Sequence, residues 1–517
     1  MCKIDGVRRV LLAGFVACLP ILLSAQDGRM VRGDCLPSVA DEGGATRGVR
    51  AHLPALRKEW DANKTYKQMV VLLEFSDTTF NRENPHDDYN RIFNEPGYNE
   101  GKGVGCVADY FREQSGGLFN LEFDVYGPVT VSSKAQPFAN PTSSSKNYGG
   151  QLFREATQKV LEQHPDADYT QYDWNGDGVI EQVIYVFAGP TGNQGDGYYG
   201  HIWPNASTFT TLTTPDGCKI SQYSASGEHW RGTKRRSFGI GTICHEYSHC
   251  LGLPDIYPVN GWVYSAVDEF DLMDGGNYTN YGWCPCNYTP LEKMLLGWLT
   301  PVELTKDTTI VNLRSVSDGG ETYLVRHTNS EYYLLENRQW SRWDAGLPGR
   351  GLVVYHVDFN SSTWTNNAVN NTTNHLRFSI VNADNMTFDA WDKLLQGKTS
   401  YQNTDRMNSQ YLSTSPYPYS SDTIPTVNNL LTDNSTPASV MFNANAEDSR
   451  NLSKPITNIR MSDDGLVTFD FMGGTPDAIQ AVPTDERRHD LYDLYGRKVL
   501  VPKKGLYIVN GRKVMIN

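Results

Sequence analysis

The most informative segment of the chain is residues 242–255, TICHEYSHCLGLPD. His245 and His249 are four residues apart, so a helix places their imidazoles on one face, one turn apart. Two imidazoles arranged in this way can hold one Zn²⁺ ion. Glu246, next to the first histidine, can reach a metal-bound water without ligating the metal. It is therefore placed to take the proton of that water.

The residues after the second histidine supply a third candidate ligand. Gly252 can adopt the left-handed conformation that ends a helix, and Pro254 prevents the helix from continuing. The chain can then turn back and bring Asp255 to the metal. Three protein ligands leave the fourth position of a tetrahedral zinc open for water, as catalysis requires. We predict His245, His249 and Asp255 as the ligands.

HEYSHCLGLPD resembles the long zinc signature of the metzincin metallopeptidases, with Asp255 in place of the third histidine. The segment FDLMDGGN, residues 270–277, is similar to the tight turn of that clan, which carries a methionine beneath the zinc. More closely, the chain resembles the secreted peptidases of the M6, immune-inhibitor-A-like family over roughly residues 66–360. The other stretches that agree are EFSD (74–77), YDWNGDG (172–178), YYLLENR (332–338) and GLPGRGLVVYHVD (346–358).

The resemblance implies a secreted zinc endopeptidase that hydrolyses peptide bonds of proteins through a zinc-activated water, with Glu246 as general base. One position departs from the pattern: some metzincins carry a tyrosine two residues after the turn methionine, and this chain has Gly275 there. The group that stabilises the oxyanion is therefore left open. The alternative is a surface adhesin or binding protein on a peptidase scaffold with little turnover. The intact Glu246 argues against it, because a binding protein needs no general base.

Hydrophobic patterns give the organisation. Strands are predicted at 69–75, 118–125 and 183–188, and helices at 106–114 and 152–161. Beyond about residue 300, short β-type runs dominate, as at 323–326, 352–357 and 467–471. We predict an α+β fold: a metzincin-like zinc peptidase domain, a mostly-β C-terminal region and a small β tail. The predicted divisions are a signal peptide (1–25), a pro-segment or flexible lead-in (26–64), the catalytic domain (65–300), the β-rich region (301–473), a linker (474–488) and a sorting tail (489–517).

Both ends of the chain have sequence features typical of targeting signals. Lys3, Arg8 and Arg9 precede the apolar run 10–23, and the small residues Ser24-Ala25 follow it, which is typical of a signal peptide. A membrane anchor and a lipid-attachment site at Cys18 are the alternatives. The tail resembles the C-terminal sorting domain of type IX secretion, with an ordinary terminal β-hairpin as the alternative. We therefore expect a secreted or cell-surface protein, with secretion machinery as a partner of the tail.

A second metal is suggested by YDWNGDG. Asp173, Asn175 and Asp177 match the start of a calcium loop, and Glu181 could complete a shortened one. Position 12 of an EF-hand would be Ile184, so the bidentate glutamate of that motif is missing. The alternative is an Asx-rich turn that enters the next strand. The predicted cofactors are thus Zn²⁺ and Ca²⁺.

The amino-acid composition argues against some classes of binding partner. With 46 Lys and Arg against 59 Asp and Glu, the net charge of −13 argues against nucleic acid and anionic membranes. After the leader no apolar run is long enough for a transmembrane segment. The peptidase resemblance implies protein or peptide substrates. Cys35 in the lead-in resembles, loosely, the cysteine switch that keeps some metzincins inactive; a free or disulfide-bonded cysteine is the alternative.

Overall fold

The computed structural model describes most of the chain between residues 55 and 474 and four short strands after it. The described residues are 55–56, 59–142, 146–194, 197–230, 232, 236–260, 266–386, 412–420, 427–474, 479–480, 491–492, 505–509 and 512–516. The predicted signal peptide and Cys35 lie outside them. In this described part, no helix has both the length and the apolar character needed to cross a membrane.

A five-stranded sheet forms the centre of the first half. Its strands are β1 (Thr65–Glu74), β2 (Asn120–Thr130), β3 (Val183–Phe187), β4 (Asn205–Thr213) and β5 (Lys219–Gly227), in the order β2-β1-β3-β5-β4. All neighbours are parallel except β4, which lies antiparallel to β5 at one edge. β1 and β3 are covered on both faces, which explains their continuous apolar runs.

Helices cover both faces of this sheet. They are α1 (Pro85–Asn94), α2 (Val107–Gln114), α3 (Gly150–Gln163) and α4 (Gly241–Cys250), followed by α5 (Pro290–Leu295) and α6 (Ser361–Thr365). Alternate residues of β1 face two separate cores, because side chains of a strand alternate between faces. Val70 packs in the core that contains α1, α2 and α4, whereas Val71 packs in the core that contains α3.

The second half is mostly β, as the sequence predicts. Its strands are β6 (Val302–Glu303), β7 (Thr308–Leu313), β8 (Tyr323–Arg326), β9 (Glu331–Arg338), β10 (Gly351–Asp358), β11 (Phe378–Ile380), β12 (Ile456–Met461), β13 (Val467–Phe471), β14 (Ile479–Gln480), β15 (Leu491–Tyr492), β16 (Gly505–Val509) and β17 (Arg512–Ile516). They form three sheets, ordered β11-β10-β9-β8-β6, β12-β13-β7-β14 and β15-β16-β17. The described tail is thus a small antiparallel sheet.

The second sheet shares a core with the first half. In β9, Leu334 packs in the same cluster as Tyr247 of α4 and Met273, while Leu335 faces the core formed with the third sheet. The predicted boundary at residue 300 therefore separates two stretches of chain but not two independent cores.

The packed region begins earlier than the predicted end of the lead-in at residue 64. The ring of Trp60 lies 4.4 Å from that of Phe119, and its Nε1 donates to the carbonyl of Leu296 at 2.6 Å. Trp60 stands among charged and polar neighbours, RKEWDANK, so no periodic pattern indicates its contacts.

A buried ion network ties the second sheet to the first half. The Arg338 guanidinium, fully buried, donates to both oxygens of Asp344 at 2.6 Å and to Glu336 at 3.0 Å. It also donates to the backbone carbonyls of Phe270 and Asn287 at 3.2 Å. β9 is thereby fastened to the segment that leads into Met273.

We predict that Arg338→Ala lowers the free energy of unfolding by about 3–5 kcal/mol, because two carboxylates stay buried without their cation. Arg326→Ala is the control: Arg326 pairs with Glu303 at the surface, where a pair contributes about 0–1 kcal/mol. Urea denaturation of both variants measures the difference. Equal losses in the two variants would contradict this account of Arg338.

Candidate active site

Helix α4 carries the predicted site, and all ten of its residues are buried. It lies between the first sheet and the segment that follows Met273. The approach to that segment is close: a Cβ on Gly241 would stand 1.9 Å from the carbonyl oxygen of Asn277. Glycine at the first position of the helix is therefore needed for this packing.

The two histidines of α4 are held in the tautomer that a metal requires. Nδ1 of His245 contacts the carbonyl oxygen of Leu272 at 2.8 Å, and Nδ1 of His249 contacts that of Leu253 at 2.8 Å. A carbonyl oxygen only accepts, so each Nδ1 carries the proton and each Nε2 presents a lone pair. Such backbone partners commonly orient metal-binding histidines.

Asp255 meets both imidazoles. Its Oδ1 lies 3.2 Å from Nε2 of His245 and 3.3 Å from Nε2 of His249, and none of these three buried atoms has a hydrogen-bond partner. With metal–ligand bonds of about 2.0–2.1 Å at tetrahedral angles, two ligand atoms stand about 3.3 Å apart. Two nitrogens and one carboxylate oxygen are also a usual donor set for zinc. The residues present therefore fit this metal.

The electrostatics agree with an ionised Asp255. Burial by itself would raise the pKa of this carboxyl group, but positive charge on the neighbouring imidazoles, His249 foremost, outweighs burial and holds the pKa below its ordinary value; a metal cation bound at the two Nε2 atoms would supply that charge when the imidazoles are neutral. Oδ2 of Asp255, on the other side of the carboxylate, accepts a hydrogen bond from Nδ2 of Asn367 at 2.7 Å. Asn367 is a residue that the sequence analysis missed.

Glu246 is buried beside the pair of histidines. Ligand-capable atoms of His245, Glu246 and His249 all lie within 4.8 Å of one another. Oδ1 of Asp255 lies at the spacing expected for ligands of one ion from both nitrogens, whereas Glu246 is the residue that follows His245 in the helix. The site thus offers three metal-facing atoms, from the two histidines and Asp255. The Glu246 carboxylate lies close enough to contact a molecule bound at the metal position.

The turn that contains Met273 supports the site from below. Its Leu272 carbonyl orients His245, and the Met273 carbonyl accepts from the backbone N–H of Ile256, next to Asp255, at 2.9 Å. The turn is closed by Asp271, whose Oδ1 accepts from the Met273 N–H at 2.6 Å. One turn therefore fixes both a histidine and the loop that carries Asp255.

The predicted calcium loop is built from Asx turns. Asp173 accepts from the backbone N–H groups of Gly176 and Gly178, at 2.8 and 2.7 Å, and Asp177 accepts from that of Val179 at 2.8 Å. Asn175 Oδ1 accepts from the Asp177 N–H at 3.0 Å. The Glu181 carboxylate accepts from the N–H of Trp174 at 2.8 Å. These bonds account for the conformation of the loop, and calcium binding stays a prediction.

A pair of buried carboxyl groups lies behind the turn. Asp271 and Glu292 are both fully buried, and burial raises the pKa of both groups, that of Glu292 from 4.5 to about 7; the charge of Glu292 raises the pKa of Asp271 further. Two buried carboxylates repel each other, so the pair is more stable when one of them holds a proton. Glu292 Oε2 also accepts from the N–H of Thr289 at 2.7 Å and so caps α5.

We predict that this pair makes the protein less stable as pH rises from about 4.5 to about 7. In that interval the folded state holds a proton that the unfolded state has lost, so unfolding free energy falls by at most about 1.4 kcal/mol per pH unit. Glu292→Gln, whose amide resembles the neutral acid, should flatten this part of the profile. Urea denaturation from pH 4.5 to 8 measures it; an unchanged slope in the variant would argue against a proton held by this pair.

Together these features define a class. The α+β domain buries two histidines and a glutamate of an HExxH helix, an aspartate after the helix and a methionine turn beneath them. This is the arrangement of a zinc metallopeptidase. Residues 56–294 match the family model described as immune inhibitor A peptidase M6, catalytic domain. The matched stretch begins within the predicted lead-in and ends close to the predicted boundary at 300.

Two curated relatives agree with this match. The chain is 25% identical over 295 residues to immune inhibitor A of Bacillus thuringiensis subsp. alesti, covering 48% of this chain and 42% of the relative. It is 25% identical over 309 residues to the pre-pro-metalloprotease PrtV of Vibrio cholerae serotype O1 (strain M66-2), covering 52% and 33%. The chain thus spans less than half the length of these relatives. The comparisons support a metallopeptidase, a hydrolase, of the M6 type.

Proposed function

We propose that the protein is a zinc-dependent endopeptidase that cleaves proteins or peptides, with His245, His249 and Asp255 as zinc ligands and Glu246 as general base. The observation that carries this proposal is the meeting of three buried, metal-facing atoms at the spacing of tetrahedral coordination. The match to a peptidase family and the metalloprotease relatives support the reaction class.

Different residues around the proposed site have different chemical roles. The backbone carbonyls of Leu272 and Leu253 accept from the Nδ1–H groups, so the neutral imidazoles present Nε2 to a metal. When bound, Zn²⁺ would polarise the scissile carbonyl and acidify the attacking water. Glu246 would accept the proton of that water and then deliver it to the departing amine.

We predict that Glu246→Ala lowers kcat/KM for casein by about 10²–10⁴-fold, the usual contribution of a general base, while zinc stays bound at one per chain. Glu162→Ala, on the exposed side of α3, serves as the control and should cleave like the wild type. Cleavage is followed by mass spectrometry and zinc by elemental analysis.

The outcomes separate the two candidate functions. Full cleavage by Glu246→Ala would make the mechanism wrong. A wild type that binds zinc but cleaves neither casein nor itself, even after removal of residues 26–55, would favour the adhesin or binding protein on a peptidase scaffold. Removal of residues only to 55 preserves the packed Trp60.

We further propose export, with residues 1–25 as a signal peptide and 489–517 as a type IX sorting tail. The support is the charged and apolar pattern of the first segment and the likeness of the tail; the described tail strands pair as an antiparallel sheet, as a compact tag requires.

We predict that deletion of 489–517 retains the protein in the periplasm of a host with type IX secretion, while the full chain reaches the surface or the medium. Fractionation and immunoblotting measure this. A deleted chain that is exported equally well would refute the role of the tail and leave the peptidase proposal untouched.

A further inference from the structure

We propose that residues 367–371, in the connection between β10 and β11, form a clamp that sets the position of the third zinc ligand, with Asn367 as the positioning residue. The inference rests on the proposed zinc site. The clamp lies outside the matched catalytic region, 56–294, so the metal centre is completed by the β-rich region of this chain.

The amide of Asn367 makes two hydrogen bonds with one residue, Asp255. Its Nδ2 donates to Oδ2 of Asp255 at 2.7 Å, and its Oδ1 accepts from the backbone N–H of Asp255 at 2.6 Å. The side chain and the backbone of the ligand are thus held together. Because Oδ2 is occupied by a donor, the carboxylate presents Oδ1 to His245 and His249.

Two further asparagines continue the clamp along the same loop. Asn370 Nδ2 donates to the carbonyl of Ile256 at 3.0 Å, and Asn371 Oδ1 accepts from the N–H of Val259 at 2.9 Å. The order along the clamp matches the order along the ligand loop, so the two segments run side by side. The loop after Pro254 is therefore held at several points rather than by Asp255 alone.

The clamp is itself firmly placed. The N–H of Asn367 donates to the carbonyl of Trp364 at 3.2 Å, at the end of α6, and the Trp364 side chain is buried in the shared core. At the other end, Asn370 Oδ1 accepts from the N–H of Arg377 at 2.9 Å, next to β11. A group anchored at both ends can orient a ligand, whereas a freely rotating one could not.

A neutral amide suits this role chemically. It donates to one carboxylate oxygen without neutralising the charge, so the other oxygen stays a strong metal ligand. Partners that orient metal ligands in this way typically change metal affinity by about 10–100-fold when they are removed. The effect of losing Asn367 should therefore appear in zinc binding, not only in stability.

The test compares two glycine substitutions in the full chain. Asn367 has φ +52°, a left-handed conformation that glycine adopts easily, so Asn367→Gly removes the amide while keeping the backbone. Asn385→Gly is the matched control, because Asn385 has φ +56° and is exposed. Zinc affinity is measured by competition with a chromogenic chelator, and the unfolding temperature is measured on zinc-free protein. Asn367→Ala provides a second variant.

We expect both Asn367 variants to bind zinc about 10–100-fold more weakly than Asn385→Gly. Zinc-free Asn367→Gly should also unfold at a lower temperature than the control, because the buried Asp255 loses two hydrogen bonds. Equal zinc affinities would overturn the clamp, including the case in which Asn367→Gly merely unfolds earlier. If the wild type itself binds no zinc at one per chain, the proposed function fails instead. The two failures are thus distinguishable.

Discussion

Two imidazole nitrogens and one carboxylate oxygen meet in the interior without hydrogen bonds, and the surrounding structure is organised to keep them there. A buried polar atom without a partner costs about 1–3 kcal/mol, so three together need strong support. The support comes from the backbone: Leu272 and Leu253 orient the histidines. Binding of a metal ion to these three atoms would offset the free energy that their burial without partners costs. The free protein would therefore favour metal binding.

The second sheet has a larger part in this arrangement than its position after the peptidase domain suggests. Arg338 of β9 holds the segment before Met273, and Leu334 packs in the core that surrounds α4. Asn367 reaches the ligand loop directly. The active-site helix is therefore enclosed by the two halves of the chain. Its complete burial follows from this enclosure rather than from its own sequence.

Local patterns made much of this foreseeable. The spacing of His245 and His249 indicates α4, continuous apolar runs indicate β1 and β3, and alternation indicates β13. The meeting of Asp255 with both histidines also agrees with the expected turn after Gly252. The sequence analysis missed Trp60, the strands β4 and β5, and Asn367, because their roles depend on contacts with distant residues. Their local sequence is uninformative: Trp60 lies among polar residues, and the two strands are rich in serine and threonine. Asn367 lies in TNNAVNNTTN, which is typical of a loop. A hydrophobic period cannot indicate the hydrogen bond between Asp255 and Asn367, which are 112 residues apart.

That long separation has a consequence for the order of events during synthesis. A nascent chain that has emerged to residue 300 carries the HExxH helix, Asp255 and Met273, yet it lacks the segment that holds Asp255 in place. The metal centre can reach its final form only after the connection between β10 and β11 has been made and folded. Any peptidase activity that depends on the proposed zinc site would therefore arise only late in synthesis.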